Sequence, residues 1–89
     1  MEMNMPISLD WTTDEVVDVV AFYEAVEQVY GNGIERHLFL KKYQRFKEIV
    51  PSKSEEKQLC AQFDQQVNVS SYLAVKEAKK LEDGEIVKL

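Results

Sequence analysis

The segment VPSKSEEKQL, residues 50–59, contains a first group of residues that could bind an anion: Ser52, Lys53 and Lys57. A helix N-terminus with two lysines nearby can hold an anion, because its free N–H groups point out of the helix. The segment has no glycine, which a phosphate-binding loop needs so that the phosphate can approach the backbone. We therefore interpret it first as a joint between two helices, and only second as an anion contact.

A second group lies near the C-terminal end and could contact a protein or a nucleic acid. Residues 59–82 have the outline of a helix-turn-helix motif, in which a second helix follows a short turn. On one arc of that second helix lies a candidate interaction patch, formed by Tyr72, Lys76, Lys79 and Lys80. Asp64 and Asn68 depart from the motif, which usually has alanine and glycine at these positions. Nucleic-acid binding through residues 59–82 is therefore the alternative function, and contact with another protein is the leading one.

The other reactive residue types do not form a catalytic or metal-binding group. His37 is the only histidine and Cys60 the only cysteine, so the ligand spacing of a zinc site is missing. We expect His37 on a partly exposed helix surface and Cys60 as a small residue that faces the core. Paired carboxylates would need a cleft with two different environments, which the sequence does not indicate. The sequence predicts a protein that is not an enzyme and has no cofactor.

Glu27 is the one carboxylate that falls within the apolar arc of its predicted helix. The side chain then lies either at the edge of the core or in an ion pair with a base such as Lys42, Arg45 or Lys47. A functional acid is the third interpretation. We favour a structural ion pair over a functional acid.

Charge is distributed unevenly along the 89 residues. The chain contains 11 Lys and Arg and 16 Asp and Glu, which gives a formal charge of minus five. Residues 1–33 contain seven acids and no Lys or Arg, whereas residues 34–59 contain seven bases and four acids. The acidic total disfavours nucleic acid as a partner, because most non-specific affinity comes from neutralised phosphates. We expect an acidic first helix to lie beside a more basic second one.

The predicted fold is all-α, a compact array or bundle of about four short helices in a single domain over residues 1–89. The helices are predicted at approximately 13–30, 34–50, 53–66 and 71–82, with both termini irregular and without a strand. Thr12 with Glu15, and Ser52 with Glu55, have the spacing of capping boxes. Residues 85–89 are expected either to fray or to pack as a short extended tail.

The second helix gives the clearest prediction of the core. A ridge of large side chains recurs at helical spacing, formed by Phe39, Tyr43, Phe46 and Val50. The apolar arc of the first helix covers about half of its circumference, so this helix is expected to pack against two others. An arc of that width also allows a homodimer.

Location is predicted from what the sequence lacks. The N-terminal MEMNMPISLDW has neither the basic start nor the apolar core of a signal peptide, and Asp18 interrupts the longest apolar run. A single cysteine gives no reason for an oxidising compartment. We expect a cytoplasmic protein without membrane contact.

Several strings in the chain resemble a known family. These strings are DWTTDEVVDVV, FYEAVEQVY before a glycine turn, YQRFKEIVPSKSEEKQL, and the SSY that opens the last helix. Over most of residues 6–81 they are similar to the YktA-like family of small uncharacterised proteins from Bacillus and related bacteria. The resemblance implies a compact all-helical domain in a cytoplasmic bacterial protein, and it implies no activity and no catalytic residues. The leading prediction is therefore a small non-enzymatic domain that acts through contact with an unknown protein partner.

Overall fold

Four helices and one pair of two-residue strands make up the structure. The computed structural model describes residues 6–89. The helices are α1 (Thr13–Val29), α2 (Arg36–Ile49), α3 (Lys53–Val67) and α4 (Ser71–Lys80), and the strands are β1 (Ile34–Glu35) and β2 (Ile86–Val87). The predicted all-α array is confirmed, and the helix ends differ from the prediction by at most two residues. Residues 6–12 contain no helix, whereas the rest of the predicted irregular N-terminus, residues 1–5, lies outside the described residues.

Side-chain caps explain where three of the helices begin. Thr12 N–H donates to Glu15 Oε1 at 2.9 Å, and Glu15 N–H donates to Thr12 Oγ1 at 3.2 Å, so the first capping box is confirmed. Glu55 N–H donates to Ser52 Oγ at 3.3 Å, which is one of the two hydrogen bonds of the second box. Ser70 Oγ accepts from Leu73 N–H at 3.1 Å and caps α4.

The two strands correct the prediction of a second helix that begins at residue 34 and of a chain without strands. Ile34 pairs with Val87, and Glu35 with Ile86, in antiparallel register. The turn after α1 ends at Gly33, which has a φ of 94° and donates its N–H to Gln28 O at 2.7 Å. This turn leaves Ile34 extended, and the side chain of Val87 is fully buried beside it. Of the two options for residues 85–89, the packed extended tail is therefore the correct one.

Glu35 connects the strand pair to the start of α2. Its carboxylate accepts from His37 N–H at 2.9 Å, from Leu38 N–H at 3.0 Å and from Gly84 N–H at 2.8 Å. These backbone donors, His37 foremost, lower the pKa of Glu35 because they stabilise its ionised form. Arg36 donates from Nε to Ala78 O at 2.9 Å and forms an ion pair with Asp83. The junction thus fixes the end of α4 against the start of α2.

The core is one hydrophobic cluster with aromatic rings at its centre. Phe22 stacks on Phe46 with 4.7 Å between ring centroids, and Tyr23 stacks on Phe63 at 4.6 Å. The predicted ridge of α2 is confirmed, since Phe39, Phe46 and Val50 are fully buried and Tyr43 is half-buried.

The apolar face of α1 is covered by the same chain. α1 packs against both α2 and α4, as its wide arc predicted. The side chains of Val19, Phe22, Val26 and Val29 are inaccessible to solvent. The structural reason given for a homodimer is therefore absent from the described part of the chain, and the homodimer itself stays a prediction.

Candidate binding groove

A groove of about 430 Å³ lies where α2, α3 and α4 meet. Five of its lining residues are exposed lysines, namely Lys47, Lys53, Lys57, Lys76 and Lys79. Four buried or half-buried lining residues are apolar or aromatic and form a floor of Phe22, Tyr43, Cys60 and Val75, beside the buried Ser71 and the half-buried Glu56. We call this surface the lysine groove. It combines a cationic rim with an apolar floor.

Helical spacing explains why the lysines converge. Lys53 and Lys57 are one turn apart on α3, and Lys76 and Lys79 are three residues apart on α4, so each pair lies on one face of its helix. Lys47 comes from the last turn of α2.

The groove unites two candidate sites that the sequence suggested separately. Tyr72, Lys76 and Lys79 of the predicted interaction patch line it together with Lys53 and Lys57 of the predicted anion contact. The other two candidate residues are not among the lining residues of the groove. Ser52 caps α3, and Lys80 is exposed to solvent.

Sequence reasoning missed Lys47, Tyr43 and Glu56 as parts of this surface. Tyr43 was placed in the core ridge, and its half-buried ring does pack there, but its hydroxyl reaches α3 and donates to Glu56 Oε2 at 3.0 Å. Lys47 lies one turn after Tyr43, with Nζ 5.5 Å from the centroid of the tyrosine ring. The i, i+4 spacing of a tyrosine and a lysine was the only local signal, and the contribution of Glu56 depends on packing between helices.

The lysines of the groove are free of carboxylate partners within residues 6–89. The ion pairs described there use Arg36, His37 or Arg45. Lys47 and Lys76 lie instead over tyrosine rings, and Lys76 Nζ is 6.0 Å from the ring centroid of Tyr72. Five lysines and one glutamate give the lining a formal charge of plus four, in a chain whose formal charge is minus five. The groove is therefore a basic surface on an acidic protein.

Cys60 carries the thiol of the groove, and its surroundings suppress the reactivity of that thiol. Burial, followed by the charges of Asp64 and Glu56, raises the pKa of the Cys60 thiol to about 12. The thiol is protonated at neutral pH, whereas a nucleophilic cysteine requires the thiolate.

His37 lies on the exposed side of α2, away from the lysine groove. Its side chain is 65% exposed, and Nδ1 is 3.9 Å from Asp83 Oδ2. Nowhere in residues 6–89 do three His, Cys, Asp or Glu side chains come together as metal ligands would.

The structure of the turn between α3 and α4 explains why Asp64 and Asn68 depart from the helix-turn-helix motif. Asn68 adopts the left-handed conformation that ends α3, with φ of 58°. Asp64 accepts the N–H of Ser71 at 3.1 Å and its hydroxyl at 2.7 Å. Asp64 therefore adds a second cap to α4, where the motif has a packed alanine.

Glu27 lies at the edge of the core, which was one of its predicted positions. The side chain is half-buried, and none of the ion pairs described for residues 6–89 includes it. Arg45, one of its predicted partners, instead binds Asp18 with 2.8 Å between Nε and Oδ2. Of the two positions predicted for Glu27, the edge of the core is therefore the one observed in residues 6–89, and the ion pair with a base is not.

Across residues 6–89, each helix is too short or too polar to pass through a bilayer.

The fold and the groove together define a small helical domain with a basic concave surface. The sequence profile of an uncharacterised protein family, UPF0223, matches residues 2–87. The chain belongs to this family. It is 49% identical over 86 residues to the UPF0223 protein YktA of Bacillus subtilis, an alignment that covers 97% of this chain and 98% of the relative. A UPF0223 protein of Lysinibacillus sphaericus is 47% identical over 89 residues, which are 100% of this chain and 94% of the relative. The resemblance noted from the sequence is thus confirmed.

Proposed function

We propose that this protein is a small cytoplasmic domain without catalytic activity, and that it binds another protein through the lysine groove. The observation that carries the proposal is the concave, apolar-floored surface at which three helices meet. Tyr72 stands at this surface with 70% of its area exposed. Tyrosine is enriched in protein interfaces, and truncated aromatic residues are frequent hot spots of binding. These features support a role in protein recognition.

The chemistry of the groove favours binding over catalysis. Its thiol is held in the protonated form, and its one carboxylate, Glu56, accepts a hydrogen bond from Tyr43. A hydrolase would need a nucleophile and a base within hydrogen-bond reach of each other. The two groove hydroxyls that lie within reach of a carboxylate hold helices together instead. Ser71 is buried and donates to Asp64, and Tyr43 joins α2 to Glu56 of α3.

Nucleic-acid binding is the second candidate, because five lysines without partners in the described chain could also neutralise phosphates. A helix-turn-helix domain places its second helix in the major groove of DNA. In this fold Lys76 and Lys79 on α4 face a concavity shared with α2 and α3 instead. We therefore rank a protein partner first.

The proposal is tested with two substitutions on the same helix. Tyr72 lines the groove, whereas Leu73 is 48% exposed and lies outside its lining, so Leu73→Ala is the matched control for Tyr72→Ala. Wild type and both variants are used as bait in a nuclease-treated bacterial lysate, and retained proteins are quantified by mass spectrometry. We expect a partner retained by wild type and by Leu73→Ala, with at least about fivefold less on Tyr72→Ala.

Two results would contradict the proposal. The first is a set of retained proteins that does not respond to Tyr72→Ala. The second is retention of RNA or DNA, in untreated lysate, that weakens steeply with added salt, which would favour the second candidate. Sedimentation of the wild type checks the predicted homodimer in parallel, and a monomer at high concentration would exclude it.

A further inference from the structure

We propose that the segment that occupies the lysine groove is a short acidic stretch of the partner, in which carboxylates flank one aromatic or aliphatic side chain. This inference rests on the proposed function and specifies the chemistry of the partner. The flanking carboxylates would contact the lysines of the rim, and the central side chain would pack on the accessible parts of Tyr43, Cys60 and Val75.

The positions of the lysines require acids on both sides of the central side chain. Lys53 and Lys57 stand on the α3 side of the groove, and Lys76 and Lys79 stand on the α4 side. A ligand with carboxylates on one side only would leave the two lysines of the other side without an anionic contact. Electrostatic complementarity of this kind steers association and fixes the register of a bound segment.

The use of lysine rather than arginine favours several separate anionic groups over one anion held by a two-pronged contact. The two arginines of the chain are both engaged within it, Arg36 with Asp83 and Arg45 with Asp18. Arginine binds phosphate through a fixed two-pronged geometry, whereas lysine is a point charge on a flexible stem. Five flexible point charges suit several carboxylates whose positions vary.

The distribution of charge favours a short ligand over a long polyanion. The formal charge of the chain is minus five and that of the groove lining is plus four, so the remaining residues carry a formal charge of minus nine. The whole molecule measures 35 × 29 × 22 Å. Duplex DNA has one charge per about 1.7 Å of its axis, and its ends would run past the groove along acidic surface. An extended segment of about eight residues spans at most about 26 to 29 Å and can end near the groove.

The first test uses synthetic peptides with the isotope-labelled full chain. The probe is a peptide of about eight residues with Asp and Glu on both sides of one Phe. One comparator replaces every acid with its amide, and a second replaces the Phe with Ser. We expect the probe to shift the amide signals of Lys53, Lys57, Tyr72 and Lys76, and to bind at least about tenfold more tightly than the amide comparator at low salt. The serine comparator should bind about threefold to tenfold more weakly than the probe.

Charge variants provide the second test. Lys53→Ala/Lys57→Ala and Lys76→Ala/Lys79→Ala should each weaken binding of the probe about fivefold to tenfold. Lys41→Ala/Lys42→Ala removes the same charge from α2 outside the groove and should change binding less than about twofold. Glu56→Gln removes the only acid of the lining and keeps an acceptor for Tyr43, so it should strengthen binding about twofold. Thermal melting of each variant confirms that it is folded.

The outcomes separate this inference from the proposed function. A partner that depends on Tyr72 but is indifferent to both lysine pairs and to salt would overturn the inference and leave the proposed function intact. Equal binding of the acidic and amide peptides would also overturn it. Tighter binding of pyrophosphate or of a short oligonucleotide than of the probe would assign the groove to phosphates instead. Self-association that the lysine variants abolish would identify a second copy of this chain as the occupant.

Discussion

The hydroxyl of Tyr43 on α2 donates a 3.0 Å hydrogen bond to the carboxylate of Glu56 on α3, at the edge of the lysine groove. Burial, together with the hydrogen bond and charge of Glu56, raises the pKa of Tyr43 to about 12. The contact joins two consecutive helices across the joint at residues 50–52. It also fixes the position of Glu56, the acidic side chain among the described lining residues of the groove.

This pair predicts a loss of stability in alkaline solution. The pKa of Tyr43 is about 12 in the fold against an ordinary value of 10.0, so its contribution to stability is complete below pH 10 and is lost as the pH rises towards 12. Tyr43→Phe removes the ionising group. Between these two pH values its melting temperature should fall less than that of the wild type, as followed by circular dichroism. An equal fall in melting temperature for the two proteins over this pH range would contradict the assignment of the effect to Tyr43.

Phe46→Ala should lower the free energy of unfolding by about 3 to 5 kcal/mol, because it leaves a cavity beneath the stacked ring of Phe22. Urea unfolding measures the change. Leu38→Ala is the control on the same helix, since Leu38 is 48% exposed, and it should cost less than about 0.5 kcal/mol. Similar losses of unfolding free energy for the two variants would show that the ridge of α2 does not pack in the core.

The stability of the protein should fall when the cap of α3 is removed and should change little when the lysines near that cap are removed. Ser52→Ala leaves the N–H of Glu55 without its acceptor and should cost about 1 kcal/mol of stability. Lys53→Ala and Lys57→Ala should each change stability by less than about 0.5 kcal/mol. Chemical denaturation of the three variants checks this order, and a lysine variant less stable than Ser52→Ala would reverse our interpretation of the segment.

Two glycines with the same φ of 94° offer a test of the strand pair. At Gly84 an added Cβ meets no atom within 4 Å, so Gly84→Ala should cost only the strain of the left-handed region, about 1 to 2 kcal/mol. At Gly33 the added Cβ would lie 2.6 Å from Ile86 Cγ2, so Gly33→Ala should cost more than Gly84→Ala. Equal melting temperatures for the two variants would mean that β2 moves away from Gly33 at little cost.

Local signals were sufficient to predict most of the fold. The caps at Thr12, Ser52 and Ser70 act on N–H groups three residues along the chain, so a short window of sequence contains both partners. The ridge from Phe39 to Val50 was predictable for the same reason, because helical spacing alone places its members on one face.

The strand pair depends on contacts that no short window contains. Ile34 and Val87 are far apart in sequence, and strands of two residues are too short to show an alternating pattern. From the sequence, Gly33 was only part of the glycine turn that follows the first helix. Its close approach to Ile86 becomes visible only when the tail is in place.

The candidate site was predicted in pieces. Lys53 and Lys57 were singled out by their helix start, and Tyr72, Lys76 and Lys79 by their shared arc. That the two groups line one groove follows from the arrangement of α2, α3 and α4 in the fold, in which Asp64 of α3 bonds to Ser71 at the start of α4. Asp64 had been interpreted only as a departure from a DNA-binding motif, because its partner lies across the turn.

The turn after α1 has a chemical consequence for the ageing of the protein. Asn32 is exposed and precedes Gly33, and asparagine followed by glycine readily loses ammonia when the glycine nitrogen attacks the side-chain amide. In the fold that nitrogen donates its hydrogen to Gln28 O at 2.7 Å, and the backbone of Gly33 is held at a φ of 94°. The attack is therefore hindered as long as α1 keeps its final turn. Chains that unfold lose this protection, and they should accumulate aspartate and isoaspartate at Asn32, each of which adds a negative charge to an already acidic molecule.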